Sequence, residues 1–110
     1  MIRDDEVYIA HMKDALQQIG IYTDGMDYEG FIVNRLVQDA VIRQFEIVGE
    51  ATKNLSDDFR ENHIGIPWKD LAGFRDKLIH HYFGVDLATV WRSVVADVPV
   101  LLDELMKIQS

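Results

Sequence analysis

Arg75, Asp76, His80 and Tyr82 place a permanent cation, a carboxylate, an imidazole and a phenol within eight residues of one another. Arginine presents a planar fork of donors that stays charged and fits anionic oxygens. Histidine is the side chain whose ordinary pKa lies nearest neutral pH, so it can take up or release a proton during a reaction. One group to hold a phosphate and one to move a proton, with a carboxylate beside the arginine, are a minimal set for breaking a phosphodiester without a metal. Spacing alone does not make the set specific, because an arginine and a histidine five residues apart occur in many helices. On an α-helix turning about 100° per residue, Leu71, Arg75, Leu78, Ile79 and Tyr82 share one narrow stripe. Arg75 and Tyr82 differ by only about 20° in direction, whereas His80 points about 140° away from Arg75. A guanidinium inside an apolar stripe is a local conflict of the kind expected at functional sites. Arg75 and His80 can meet over one ligand only if Arg75 reaches along the surface, the helix bends, or a second subunit supplies one of them.

Other candidates carry less. His80 and His81 are neighbours, diverge on a helix, and are followed by no acid at the spacing of a zinc-binding helix. His63 falls in a polar segment and could serve as a third ligand, but nothing requires it. The chain has no cysteine, which excludes disulfides and thiolate metal sites. Neither a glycine-rich phosphate loop nor a serine-nucleophile motif is visible. Trp68 and Trp91 read as core residues before they read as base-stacking platforms, and Tyr82 by itself reads as a packed aromatic at a helix end.

The elements that must position these groups are helical. Val7, Met12, Ala15, Leu16 and Ile19 recur at helical spacing and predict a first helix over 4–19, closed by Gly20. Asp27 is a candidate N-cap for a long helix over 28–55, a stretch without proline and with a wide apolar band. Gly49 inside that helix costs about 1 kcal/mol relative to alanine, and a close helix crossing with no room for a side chain explains it. Glu50 reads either as a carboxylate at the edge of the band or as a partly buried acid anchoring Arg43 or Arg75. Ser56 can cap a short turn, and Pro67 and Trp68 open a helix that runs to Tyr82 or Phe83 and ends at Gly84, with a break near Gly73 conceivable. Asp86 caps a last helix with Leu87, Val90, Trp91, Val94, Val98, Leu101, Leu102 and Leu105 inward, which Pro99 should kink or divide. The expected architecture is one all-α domain over 1–110, a bundle of about four to five helices.

Composition narrows the function classes. Of 110 residues, 48% are apolar, enough for a core, although a domain this small often gains stability by pairing. The net charge of −8 argues against indiscriminate nucleic-acid binding. The charge is uneven: residues 1–34 hold two bases and seven acids, whereas 35–92 hold eight bases, nine acids and three of the four histidines. A local positive cleft is therefore possible in the middle of the chain. The acidic N-terminus and the lack of an apolar run of about 18 residues lead to the expectation of a soluble, cytoplasmic protein with no membrane partner.

The octapeptide 75–82 resembles the Arg-x4-His-x-Tyr motif of HepT, the toxin half of the type VII HEPN/MNT toxin–antitoxin pairs, here Arg75, His80 and Tyr82. The wider HEPN signature accepts an Asp directly after the arginine, as in Asp76. Ile47-Val48-Gly49-Glu50-Ala51 is similar to the family's IGEA segment, and Ile66-Pro67-Trp68, Tyr82-Phe83-Gly84-Val85-Asp86 and Val90-Trp91 follow in the family's order. The resemblance implies a HEPN helical fold and a homodimer whose cleft joins both copies of the motif. It implies metal-independent cleavage of RNA with no cofactor. Arg75 would clamp the scissile phosphate, His80 would act as acid or base, and Asp76 would support His80. It further implies a nucleotidyltransferase (MNT) antitoxin that transfers AMP onto Tyr82. A non-catalytic, nucleotide-binding or scaffold dimer that supports such a nucleotidyltransferase is the rival reading.

Overall fold

The computed structural model describes residues 3–80 and 85–108. They form an all-α bundle: α1 (Arg3–Tyr22), α2 (Tyr28–Ile32), α3 (Arg35–Asn54), α4 (Asp57–Asn62), α5 (Trp68–His80), α6 (Leu87–Arg92) and α7 (Val98–Met106), with a π-helical turn at Ser93–Asp97 joining the last two. Helix α3 is the central pillar, with α1 packed along one side and α5 along another, while α7 closes on α1.

Helix α1 opens with Asp4, Asp5 and Glu6, acids that favour the positive end of the helix dipole. It continues past Gly20 to Tyr22, and Thr23 ends it by donating from both its amide and its hydroxyl to Ile19 O, at 3.1 and 2.8 Å. Its inner face is Asp5, Ile9, Met12, Leu16 and Ile19. Val7, expected on that face, is 46% exposed; the buried place one turn before Ile9 goes to Asp5. That carboxylate accepts from Ser56 N and Ser56 Oγ, both at 2.8 Å, which is how a buried acid is satisfied. Ser56 in turn caps α4 through Phe59 N.

The single helix expected over 28–55 is two helices. Asp27 caps the short α2 through Gly30 N, and the chain breaks at Val33 and Asn34. Asn34 Oδ1 then accepts from Val37 N at 3.0 Å and starts α3. Gln38 Nε2 donates to Phe31 O at 2.8 Å, satisfying a carbonyl near the break. The break lets Phe31 turn fully inward onto Trp91, with ring centroids 5.1 Å apart, and leaves Val33 and Leu36 about four-fifths exposed.

Helix α5 starts after Pro67, whose carbonyl accepts from Leu71 N, and runs through Gly73 without interruption. Pro99 divides the last helix as expected. A proline has no amide to donate and crowds the preceding turn; the π-helical turn before it, in which Val98 N donates five residues back to Ser93 O, absorbs the mismatch. Among the described residues, no helix is long and apolar enough to cross a membrane.

Candidate active site

The α3–α5 crossing is where the candidate chemistry sits. A Cβ built on Gly49 would lie 2.1 Å from Arg75 Cβ and 2.9 Å from Leu71 O, so no residue but glycine fits. The expected close crossing is therefore present, and the group it admits is Arg75 itself. Arg75 is 24% exposed; its Nη1 donates to Asp76 Oδ1 at 3.0 Å. Its Nε is buried and has no hydrogen-bond partner among the described residues. An unsatisfied buried donor costs about 1–3 kcal/mol, so it asks for an explanation such as a bound water, an ion or a catalytic role.

Asp76 Oδ1 accepts a second cation, Lys53 Nζ of α3, at 2.5 Å. The hydrogen bonds from Lys53 and then Arg75 hold the Asp76 carboxyl below the usual carboxylate range, so it is a firm anion at neutral pH. Lys53 escaped the sequence reading. One signal could have found it: it lies four residues after Gly49, hence on the same face of α3 as the crossing.

His80 is the last residue of α5 and is exposed. Helix α5 is continuous from Trp68 to His80, so Arg75 and His80 stand on one helix. Arg75 is also held at its base by α3 and at its tip by Asp76, which opposes its reaching round the helix. Among the described residues, Asp76 makes no ion pair with His80; its carboxylate serves the two cations. Tyr82, with His81, lies outside the described residues.

His63 and Trp68 are packed. His63 stacks on Phe59 at 4.3 Å, with Nδ1 2.9 Å from Phe59 O. Trp68 is buried and donates from Nε1 to His63 O. Glu50 is exposed, while Arg43 pairs with Glu46 and Arg75 with Asp76, which favours the edge-of-band reading of Glu50. A cleft of about 290 Å³ between α5 and α6, lined by Phe74, Lys77, Leu78 and residues of α6, includes neither Arg75 nor His80. Among the described residues, no three histidines, aspartates or glutamates gather as a metal site would require.

The chain resembles known proteins along almost its whole length. The family model described as "Ribonuclease HepT-like" matches residues 12–108, a span that contains α3, α5 and every candidate residue. The chain belongs to the HepT-like family. A "Probable ribonuclease HepT" of Thermococcus cleftensis is 40% identical over 110 residues, covering all of both chains. In Methanocaldococcus jannaschii, a protein named "Putative RNase" is 44% identical over 106 residues, 96% of this chain and 91% of its own. A larger protein of that organism, "Gamma-glutamylcyclotransferase and putative RNase", is also 44% identical over all 110 residues, and the chain spans 50% of its length. No solved structure matches. As a HepT-like chain, the protein belongs to a ribonuclease family, and its Arg75 and His80 stand on the one helix that faces the glycine-cleared side of α3.

Proposed function

We propose that this chain is the toxin of a toxin–antitoxin pair, a homodimeric, metal-independent endoribonuclease whose cleft combines Arg75 and His80 across a two-fold axis. The observation that carries the reading is an arginine seated in a helix crossing where Gly49 leaves no room for a further side chain, with its Nε unpartnered among the described residues. Arg75 holds the scissile phosphate and stabilises the charge that develops on it. His80, exposed at the end of α5, moves the protons. The ribose 2′-oxygen loses its proton and bonds to phosphorus, the bond to the 5′-oxygen breaks, and that oxygen is protonated as it leaves. His80 serves at either of these proton transfers. Asp76 supports the site through its hydrogen bond with Arg75.

Regulation follows from charge. A nucleotidyltransferase antitoxin that transfers AMP onto Tyr82 adds a phosphate seven residues along the chain from Arg75. That phosphate competes with RNA for the same cation.

Purified protein is expected to cut RNA in the presence of a chelator. Arg75→Ala and His80→Ala should each lower kcat by about 10²–10⁴-fold. Equal cleavage by wild type and both variants would mean that the nuclease is a contaminant, and would leave the chain as a binding dimer. Incubation with the antitoxin and ATP should add AMP mass to wild type but not to Tyr82→Phe; the same mass on both would move the modification elsewhere.

A further inference from the structure

We propose that Lys53 is a second phosphate-binding cation of the same site, and that Asp76 holds Lys53 against Arg75 until a phosphodiester takes the carboxylate's place. The inference rests on the nuclease reading above and adds to it how the backbone of the RNA is gripped.

Lys53 and Arg75 come from different helices, 22 residues apart in sequence, yet both donate to one oxygen, Asp76 Oδ1, at 2.5 and 3.0 Å. The two nitrogens therefore lie no farther apart than the sum of those distances. Two free oxygens on one phosphodiester can accept from donors set that closely, and charge-assisted bonds of this kind are the strong ones. The bare cluster carries two positive charges and one negative charge. It keeps a net positive charge on a chain whose total is −8. All three side chains are open to solvent in part, at 40% for Lys53, 43% for Asp76 and 24% for Arg75, so an incoming anion has access.

A purely structural role explains the cluster less well. An exposed lysine–aspartate pair contributes little to stability, and Asp76 already has a partner in Arg75. Bringing a second cation beside the first adds repulsion that folding does not need. That repulsion is relieved when an anion with more negative oxygens binds. The carboxylate then acts as an occupant: it keeps the two donors aimed at one point and yields that point to phosphate.

Steady-state cleavage of a single-stranded oligoribonucleotide, with full-length protein and chelator present, tests this. Lys53→Gln is expected to raise KM about tenfold, the loss of one charge-assisted hydrogen bond, with kcat nearly unchanged. The slope of log kcat/KM against log salt should flatten by about 0.7, one phosphate contact on a single strand. Lys53→Arg should restore both. Asp76→Asn should lower KM, because it removes the competing anion, whereas a structural ion pair would make both Lys53→Gln and Asp76→Asn raise it. Unchanged KM and salt slope in Lys53→Gln would overturn the clamp. A raised KM in Asp76→Asn would overturn the displaced carboxylate. Failure of the nuclease reading itself has a different signature, no difference in cleavage between wild type and Arg75→Ala, and would take this inference with it.

Discussion

Helix α3 meets α1 on one side and α5 on the other, and the two seams follow opposite rules. Toward α1, Thr52 is buried against Met12, which is itself fully buried, and Val48 and Ala51 are buried in the same core. Thr52 Oγ1 donates to Val48 O at 2.9 Å and lies 3.8 Å from Met12 Sδ, so the polar atom there is satisfied. Toward α5, positions 49 and 53 hold a glycine that only clears space and a lysine placed beside a second cation. One residue along the chain, from 48 to 49 or from 52 to 53, takes the helix from a seam that stabilises to a seam that keeps charge within reach of solvent. Stability and chemistry are divided between two faces of the same helix.

Gly49→Ala should break that division most severely. Its Cβ would meet Arg75 Cβ and the Leu71 carbonyl, and backbone cannot move aside as a flexible side chain can. Overpacking of this kind costs about 3 kcal/mol, a fall in melting temperature of roughly 10 °C or more. Displacing Arg75 by about 1 Å should also lower kcat by about 10²-fold, measured well below the new melting temperature. Near-wild-type cleavage in a folded Gly49→Ala protein would show that the position of Arg75 does not matter.

Met12→Ala attacks the other seam and sharpens the contrast. Removing a fully buried methionine should cost about 2–5 kcal/mol through lost burial and the cavity left behind. Helix α5 does not depend on that contact, so kcat at 25 °C should stay within about twofold of wild type once folding is accounted for. Thermal denaturation and cleavage of the same samples check both halves. A matching fall in kcat would mean that the two seams are coupled through α3.

The contrast also explains what could be read from the sequence. Gly49 was legible because a glycine inside a helix runs against propensity and so asks for a reason. The caps at Asp27, Ser56 and Asp86 were legible because capping is local, set by a side chain and an amide two or three residues on. The break at Val33 and Asn34 was not. Neither proline nor glycine marks it, and what stabilises it is Gln38 reaching back to Phe31 O and Phe31 turning onto Trp91, the second a contact across 60 residues of chain. Asp5 was not legible as an inner-face residue, because its partner, Ser56, arrives from 51 residues away. Lys53 was half hidden: its place four residues after Gly49 puts it on the crossing face, but nothing nearby in sequence says that Asp76 will stand opposite. The motif residues were legible as chemistry, but the second cation came only with the fold.

The smallest expected effect separates the two kinds of carboxylate in the molecule. Asp76 and Asp86 both titrate below their ordinary value of 3.8, for different reasons. Asp86 is lowered first by the hydroxyl of Thr89 and then by the amide of Ala88, neutral donors that cap α6. Asp76 is lowered by Lys53 and Arg75, which are charged. Since the folded values are depressed, each carboxylate adds stability that is fully present above pH 3.8 and disappears as the pH falls through the lower, folded value. Salt screens interactions between exposed charges and leaves hydrogen bonds to neutral donors largely alone. Titration of the side-chain carboxyl carbons by nuclear magnetic resonance should therefore find the Asp76 value moving up toward 3.8 as salt is raised, while the Asp86 value stays nearly fixed. Lys53→Gln should shift Asp76 in the same direction at low salt and leave Asp86 untouched, because the first of the two cations is gone. Parallel movement of both carboxylates would mean that Asp76 is held by ordinary local hydrogen bonding, and the seam toward α5 would then differ from the seam toward α1 in packing but not in charge.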